Sequence, residues 1–104
     1  MVQNKALSLL SIAARGRNLV SGEYAVENAI KTGTAFLVII AEDVSANTKK
    51  MFMNMCEFYE VPLVQIGTKE TLGHTIGKEF RASLAVTDEG LANAIVKKME
   101  TREE

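Results

Sequence analysis

The residues able to do chemistry gather in one stretch, Thr68-Lys69-Glu70-Thr71-Leu72-Gly73-His74-Thr75-Ile76-Gly77-Lys78, followed by Glu79-Phe80-Arg81. Lys69, Lys78 and Arg81, spread over a segment broken by glycines, can neutralise an anion such as phosphate. No nucleophile–base pair and no cluster of metal ligands accompanies them. Gly73, Gly77 and Lys78 approach the pattern of a phosphate-binding P-loop and miss it. One spacer residue is lacking, Glu79 stands where the Mg²⁺-binding hydroxyl belongs, and a helix rather than a strand precedes the motif. His74 is the only histidine, so a multi-histidine metal site is excluded and a catalytic triad would depend on it alone. A surface imidazole is the simpler reading. Glu42-Asp43 offers paired carboxylates for acid–base work, but a helix-capping turn accounts for them more cheaply. Cys56 lies on an apolar stripe with no histidine or CxxC partner nearby, and reads as a buried, inert thiol. These residues favour a binding module over an enzyme, with no catalytic residue, metal or cofactor expected.

The elements that must position them alternate between helix and strand signals. Residues 3–15 read as a helix with Leu7, Leu10 and Ala14 on one stripe and Gly16 as its stop. Leu19-Val20 is a very short strand, and Ser21 is the expected cap of a second helix carrying Ala25, Val26, Ala29 and Ile30 inward. Gly33 ends that helix. Residues 36–41 are apolar on both faces, as a central strand covered by helices would be. Asp43 and Ser45 are candidate caps for a third helix reaching Tyr59, with Thr48, Met51, Phe52, Met55, Cys56 and Tyr59 expected inward. Met53 points away from its neighbours Met51 and Met55. Pro62 closes that region, Leu63-Val64-Gln65-Ile66 gives a strand, 69–77 a short helix and 83–86 another strand. Asp88 then caps a last helix in which Leu91, Ala94, Ile95 and Lys98 follow the helical period. The sum is an α/β fold, a three-layer α/β/α sandwich in one domain over residues 1–99, followed by a loose acidic segment, 100–104.

Composition agrees with that picture. The chain has 104 residues, 47% of them hydrophobic and 24% charged, enough for a core without disulfides or metal. Its net charge of −1 is not that of a strongly basic nucleic-acid binder. Three of the acids, Glu100, Glu103 and Glu104, lie at the end, so the body is free to carry a local basic face. The single cysteine fits a reducing, cytoplasmic compartment. No apolar run approaches the ~20 residues of a membrane span. The run from Ala6 to Ala14 resembles a leader peptide superficially, but two serines break it and Arg15-Gly16 ends it, so a core helix is expected there.

Five landmarks in order carry a resemblance. They are the spacing of Gly22 and Gly33, the strand closing on Ala41-Glu42-Asp43, Val61-Pro62-Leu63, Leu72-Gly73, and Gly77-Lys78. From Leu7 to Ile95 the chain resembles the L7Ae family of ribosomal and kink-turn RNA-binding proteins, and within it the short bacterial YlxQ-like branch. The resemblance implies a four-stranded mixed sheet between helix layers and an RNA face built from three loops. It implies that a helix opening at Gly22 meets the phosphate–sugar backbone with free N–H groups. The family pattern after this glycine is Gly-x-Asn-Glu-x-x-Lys, whose Asn and Glu read sheared G·A pairs and whose Lys neutralises phosphate. Here those positions hold Tyr24, Ala25 and Asn28, and Glu23 puts a negative charge beside the glycine. Lys69 falls on a family lysine that contacts the RNA backbone. Lys78 and Arg81 fall in the loop that closes over the bulged nucleotide, and Ser45 replaces another polar contact. Tyr24 offers a stacking surface for an unpaired base.

The expected RNA-binding set is therefore Gly22, Glu23, Tyr24, Asn28, Ser45, Lys69, Lys78 and Arg81. The expected function is non-catalytic binding of structured, kink-turn-type RNA, ribosome- or translation-associated, by a monomer with weakened or altered base readout. Ribosomal proteins are the expected protein partners, and no membrane is involved. The alternative is a protein-interaction module that reuses the fold without RNA, favoured by the altered residues after Gly22 and the near-neutral charge.

Overall fold

The computed structural model describes residues 2–100, so the end of the expected acidic segment lies outside the described residues. Helices and strands alternate as α1 (Val2–Arg15), β1 (Leu19–Ser21), α2 (Glu23–Lys31), β2 (Leu37–Ile40), α3 (Ala46–Tyr59), β3 (Leu63–Gln65), α4 (Lys69–Thr75), β4 (Ser83–Val86) and α5 (Glu89–Glu100). The four strands form one mixed sheet in the order β1-β4-β2-β3. β4 runs antiparallel to both β1 and β2, with Ala85 opposite Val20 on one side and Val38 on the other. β2 and β3 are parallel, with Val38 beside Leu63.

Alternation along the strands divides the core in two. Leu37, Ile39, Leu84 and Val86 face α1, α4 and α5, where Ala6, Leu10, Leu72, Ala92 and Ile95 close over them. Val38, Ile40 and Ala85 face α2 and α3 and meet Val26, Ala29, Ile30, Phe52 and Cys56. All four residues of β2 and all four of β4 are buried. Strands covered on both faces have no solvent side to mark with polar residues, which is why 36–41 reads as a continuous apolar run. Each such Leu, Ile or Val contributes about 1.5–3 kcal/mol. The expected α/β/α sandwich with a four-stranded mixed sheet is the fold.

Several local readings change. β2 is shorter than 36–41, because Phe36 precedes the sheet and stays 39% exposed. Tyr59, expected inward, is exposed, because α3 reaches beyond the core there; Phe52 and Cys56 are its fully buried residues. On α1 the buried stripe is Ala6, Leu10 and Ala13, with Leu7 and Ala14 only half-buried. Its stop is not a left-handed Gly16 but Arg17, at φ 61°. Two bonds hold it there, Asn18 N–H to the Ala13 carbonyl at 2.8 Å and Arg17 N–H to that of Ala14 at 3.1 Å. Ser21 belongs to β1 and caps nothing; the N-cap of α2 is Gly22.

Candidate nucleic-acid interface

Strand direction alone decides which loops meet. β1, β2 and β3 run the same way and β4 runs against them, so the ends of the first three coincide with the start of β4. Gly22, the segment 41–45, Gly67-Thr68 and Arg81-Ala82 therefore crowd one end of the sheet. Backbone bonds stitch them together: Gly22 N–H to the Ser83 carbonyl at 3.1 Å, Ala41 N–H to that of Ala82 at 2.9 Å, and Glu42 N–H to that of Gly67 at 2.7 Å.

The two basic residues nearest this rim are held in place. Asp43, expected to cap α3, instead accepts the Lys69 N–H on its Oδ1 at 2.9 Å, which ties the start of α4 to the loop after β2. The Arg81 N–H donates to the Lys69 carbonyl at 3.0 Å. Its guanidinium Nε–H donates to Ser21 Oγ at 3.0 Å and its Nη1 to the Phe80 carbonyl at 2.8 Å. Arg81 is thus fixed beside the residue that precedes Gly22, half-buried, as is Lys69.

Among the starts of α2, α3, α4 and α5, that of α2 stands apart. Ser45 Oγ accepts the Thr48 N–H of α3, Thr68 Oγ1 accepts the Thr71 N–H of α4, and Asp88 Oδ2 accepts the Leu91 N–H of α5. At α2 no side chain caps the first turn, whose N-cap is Gly22 at φ 96° and ψ 152°. Intrahelical bonding begins only with Val26 N–H to the Gly22 carbonyl. The first-turn N–H groups of α2 consequently point outward without a side-chain acceptor, with the positive end of the helix dipole behind them. A Cβ at residue 22 would meet nothing within 4 Å, so the approach to these groups is open. Such an end receives an anion.

The sequence-predicted residues divide accordingly. Gly22, Lys69 and Arg81 come together at the rim. Tyr24, 84% exposed, and exposed Asn28 lie one turn apart on α2, with Glu23 beside them; Ser45 is at the rim but spends its hydroxyl on Thr48. Lys78 is exposed, further back on the loop, its N–H bonded to the Gly73 carbonyl at 2.7 Å. Sequence reading missed four contributors: Asp43 and Ser21 as the anchors of Lys69 and Arg81, Phe80, which is 60% exposed next to Arg81, and Gly73. A Cβ on Gly73 would stand 2.6 Å from the Glu79 carbonyl carbon and 2.8 Å from the Phe80 nitrogen. The available signal was a glycine inside a helix, which costs about 1 kcal/mol unless something approaches it closely.

A cavity of about 290 Å³ between α1 and α4 is lined by Ser11, Ala14, Arg15, Thr75, Ile76 and Gly77, without His74, Cys56 or the Glu42-Asp43 pair. Among the described residues no three of His, Cys, Asp and Glu are grouped to hold a metal. Burial pushes the Cys56 thiol up to about 11, away from reactivity. No helix of the described residues is long and apolar enough to cross a membrane.

Residues 4–96 match the model of the ribosomal protein L7Ae/L30e/S12e/Gadd45 family. The chain belongs to this family. It is 43% identical over 88 residues to the RNA-binding protein YlxQ of Bacillus subtilis (strain 168), covering 85% of this chain and 88% of that protein. It is 34% identical over 90 residues to the large ribosomal subunit protein eL8 of Thermoplasma volcanium, covering 86% of this chain and 74% of that one. A solved structure of a protein of unknown function from Bacillus halodurans C superposes with a TM-score of 0.89 at 36% identity, over 92% of this chain and 97% of that one. The 15.5kD RNA binding protein of Giardia lamblia shares the fold, with a TM-score of 0.80 at 24% identity over 98% of this chain and 88% of that one. The named relatives are RNA-binding and ribosomal proteins, and this member of the family is likewise not an enzyme.

Proposed function

We propose that the protein binds structured RNA of the kink-turn type at the Gly22 end of its sheet, in a ribosome- or translation-associated role in the cytoplasm. The observation that carries this reading is the uncapped start of α2 at Gly22, flanked by the anchored cation of Arg81 and by Lys69. The names of the YlxQ and eL8 relatives support RNA as the ligand. Phosphate contacts dominate, because the rim offers the open N–H groups of α2 and the cations of Lys69 and Arg81, next to the carboxylates of Glu23, Glu42 and Asp43. Base readout is weakened, because Tyr24 and Ala25 supply neither the acceptor for guanine donors nor the amide for the neighbouring base edge. Tyr24 and Phe80 offer exposed rings for unpaired bases, each worth about 1–3 kcal/mol where it stacks.

Titrations against a bulged RNA hairpin at several salt concentrations test this. Lys69→Ala, Lys78→Ala and Arg81→Ala each weaken binding with little change in base preference, and each lowers the log–log salt slope by roughly one unit. Arg81→Ala has the largest effect, since it also releases the contact with Ser21 beside Gly22. Binding indifferent to all three changes moves the partner surface elsewhere and favours the protein-interaction module.

A further inference from the structure

At the opposite end of the sheet, the end of α3 forms an acidic and aromatic corner. α3 starts at the rim just described and runs back to the far end of the sheet, where it finishes in Glu57-Phe58-Tyr59 followed by Glu60. Phe58 is 77% exposed and Tyr59 41%, and the two rings meet edge to face with centroids 4.9 Å apart. Exposed Phe36 leads into β2 at the same end, level with Val61 by the β2–β3 register. No lysine or arginine occurs between Lys50 and Lys69. Exposed Glu57 and Glu60 carry the charge there, and no ion pair engages either one among the described residues.

Two local preferences are violated at this point. A helix C-terminus favours cations, yet the last turn of α3 holds no basic residue and two carboxylates flank its end. A left-handed helix stop favours glycine, yet Glu60 occupies it at φ 59°. Glu57 and Glu60 thus leave unsatisfied negative potential beside two open aromatic faces. That combination matches an arginine or lysine side chain, which stacks on aromatic faces and pairs with carboxylates. Next to it β3 is an edge strand. Pro62 C=O and Ile66 N–H bond to β2, so the alternating groups of Leu63 and Gln65 face outward, open to an added strand.

We propose that Phe58, Tyr59, Glu57, Glu60 and the outer edge of β3 form a docking site for an extended, Arg/Lys-rich segment of another protein, at the end of the molecule opposite the RNA rim. Charge complementarity selects this occupant. A nucleic acid would meet the carboxylates of Glu57 and Glu60, and a second copy would bring the same carboxylates against these.

The test uses the full chain and a short fluorescein-labelled peptide of alternating arginine and valine, with a control peptide carrying glutamate for every arginine. The expected result is saturable, salt-sensitive binding of the first peptide only, with amide shifts centred on residues 57–65. Phe58→Ala weakens it about fivefold, Glu57→Lys with Glu60→Lys removes it, and Lys69→Ala leaves it unchanged. Thermal melting controls for folding; if the double charge reversal does not fold, Phe58→Ala and the shift map decide. Absence of binding, binding insensitive to these changes, or shifts centred on α2 and the start of α4 would overturn the proposal. So would a concentration-dependent dimer in sedimentation that Phe58→Ala dissolves, which would assign the patch to a second copy.

Discussion

Gly73 has the Glu79-Phe80 backbone lying directly across it, and this contact sets where the loop bearing Lys78 and Arg81 sits. Gly73→Ala gains up to about 1 kcal/mol of helix propensity. It must also push that backbone away, at about 1–3 kcal/mol. The expected net outcome is a lower melting temperature together with weaker RNA binding; an unchanged melt would refute the close approach. Cys56 makes a second, independent prediction. Burial raises its thiol from 9.0 to about 11 in the folded chain. The folded state therefore keeps its proton where the unfolded state loses it, so stability is whole below pH 9 and falls as pH rises toward 11. Unfolding titrations from pH 8 to 11 should show that decline, and Cys56→Ala should flatten it. At this scale the sequence was legible where residue type settles the role: an apolar-stripe cysteine, and the Ser45 and Asp88 oxygens at helix starts. It was not legible where the role depends on a partner distant in sequence. Nothing local announces that Asp43 accepts from Lys69 or that Arg81 reaches Ser21.

Among the elements, β2, like β4, is enclosed by both helix layers, and Val38 is one of its two residues on the α2–α3 side, fully buried between Ala85 and Leu63. Val38→Asp buries a charge with no partner and should cost several kcal/mol, enough to unfold a domain of ordinary stability. Circular dichroism melts check it, and a folded aspartate variant of unchanged stability would contradict the layering. Element identity followed from periodicity, because long apolar stripes and doubly covered strands leave strong patterns. Element ends followed less well. Gly33 stops α2 as expected, at φ 80°, but α1 and α3 end on left-handed Arg17 and Glu60, residues that carry no such signal. The short β1 also hid its boundary, since Ser21 suits a cap as well as a strand end and only pairing with Leu84 decides it.

Over the whole molecule, the mixed sheet sorts the loops into two ends with different chemistry: Gly22, Lys69 and Arg81 at one, Phe58, Glu57 and Glu60 at the other. A net charge of −1 sums 12 basic and 13 acidic residues and says nothing of where they lie. The central claim concerns the first end: a scaffold that holds phosphate through α2 and its flanking cations while its base-reading residues are changed. It is tested most directly by binding isotherms on a consensus kink-turn and on a control whose sheared G·A pairs are replaced by Watson–Crick pairs. Wild type and the triple variant Tyr24→Asn, Ala25→Glu, Asn28→Lys are compared. Tyr24 and Asn28 are exposed and tolerate exchange; Ala25 is half-buried at the margin of the apolar stripe, so melting of the variant is measured alongside. The expected result is weak, salt-dependent wild-type binding that barely distinguishes the two RNAs. The triple variant should gain on the order of 2–4 kcal/mol on the kink-turn alone, from two polar base contacts and one neutralised phosphate. Nanomolar wild-type binding that is lost on the Watson–Crick control would contradict the altered readout, and a folded triple variant that gains nothing would contradict the RNA face itself.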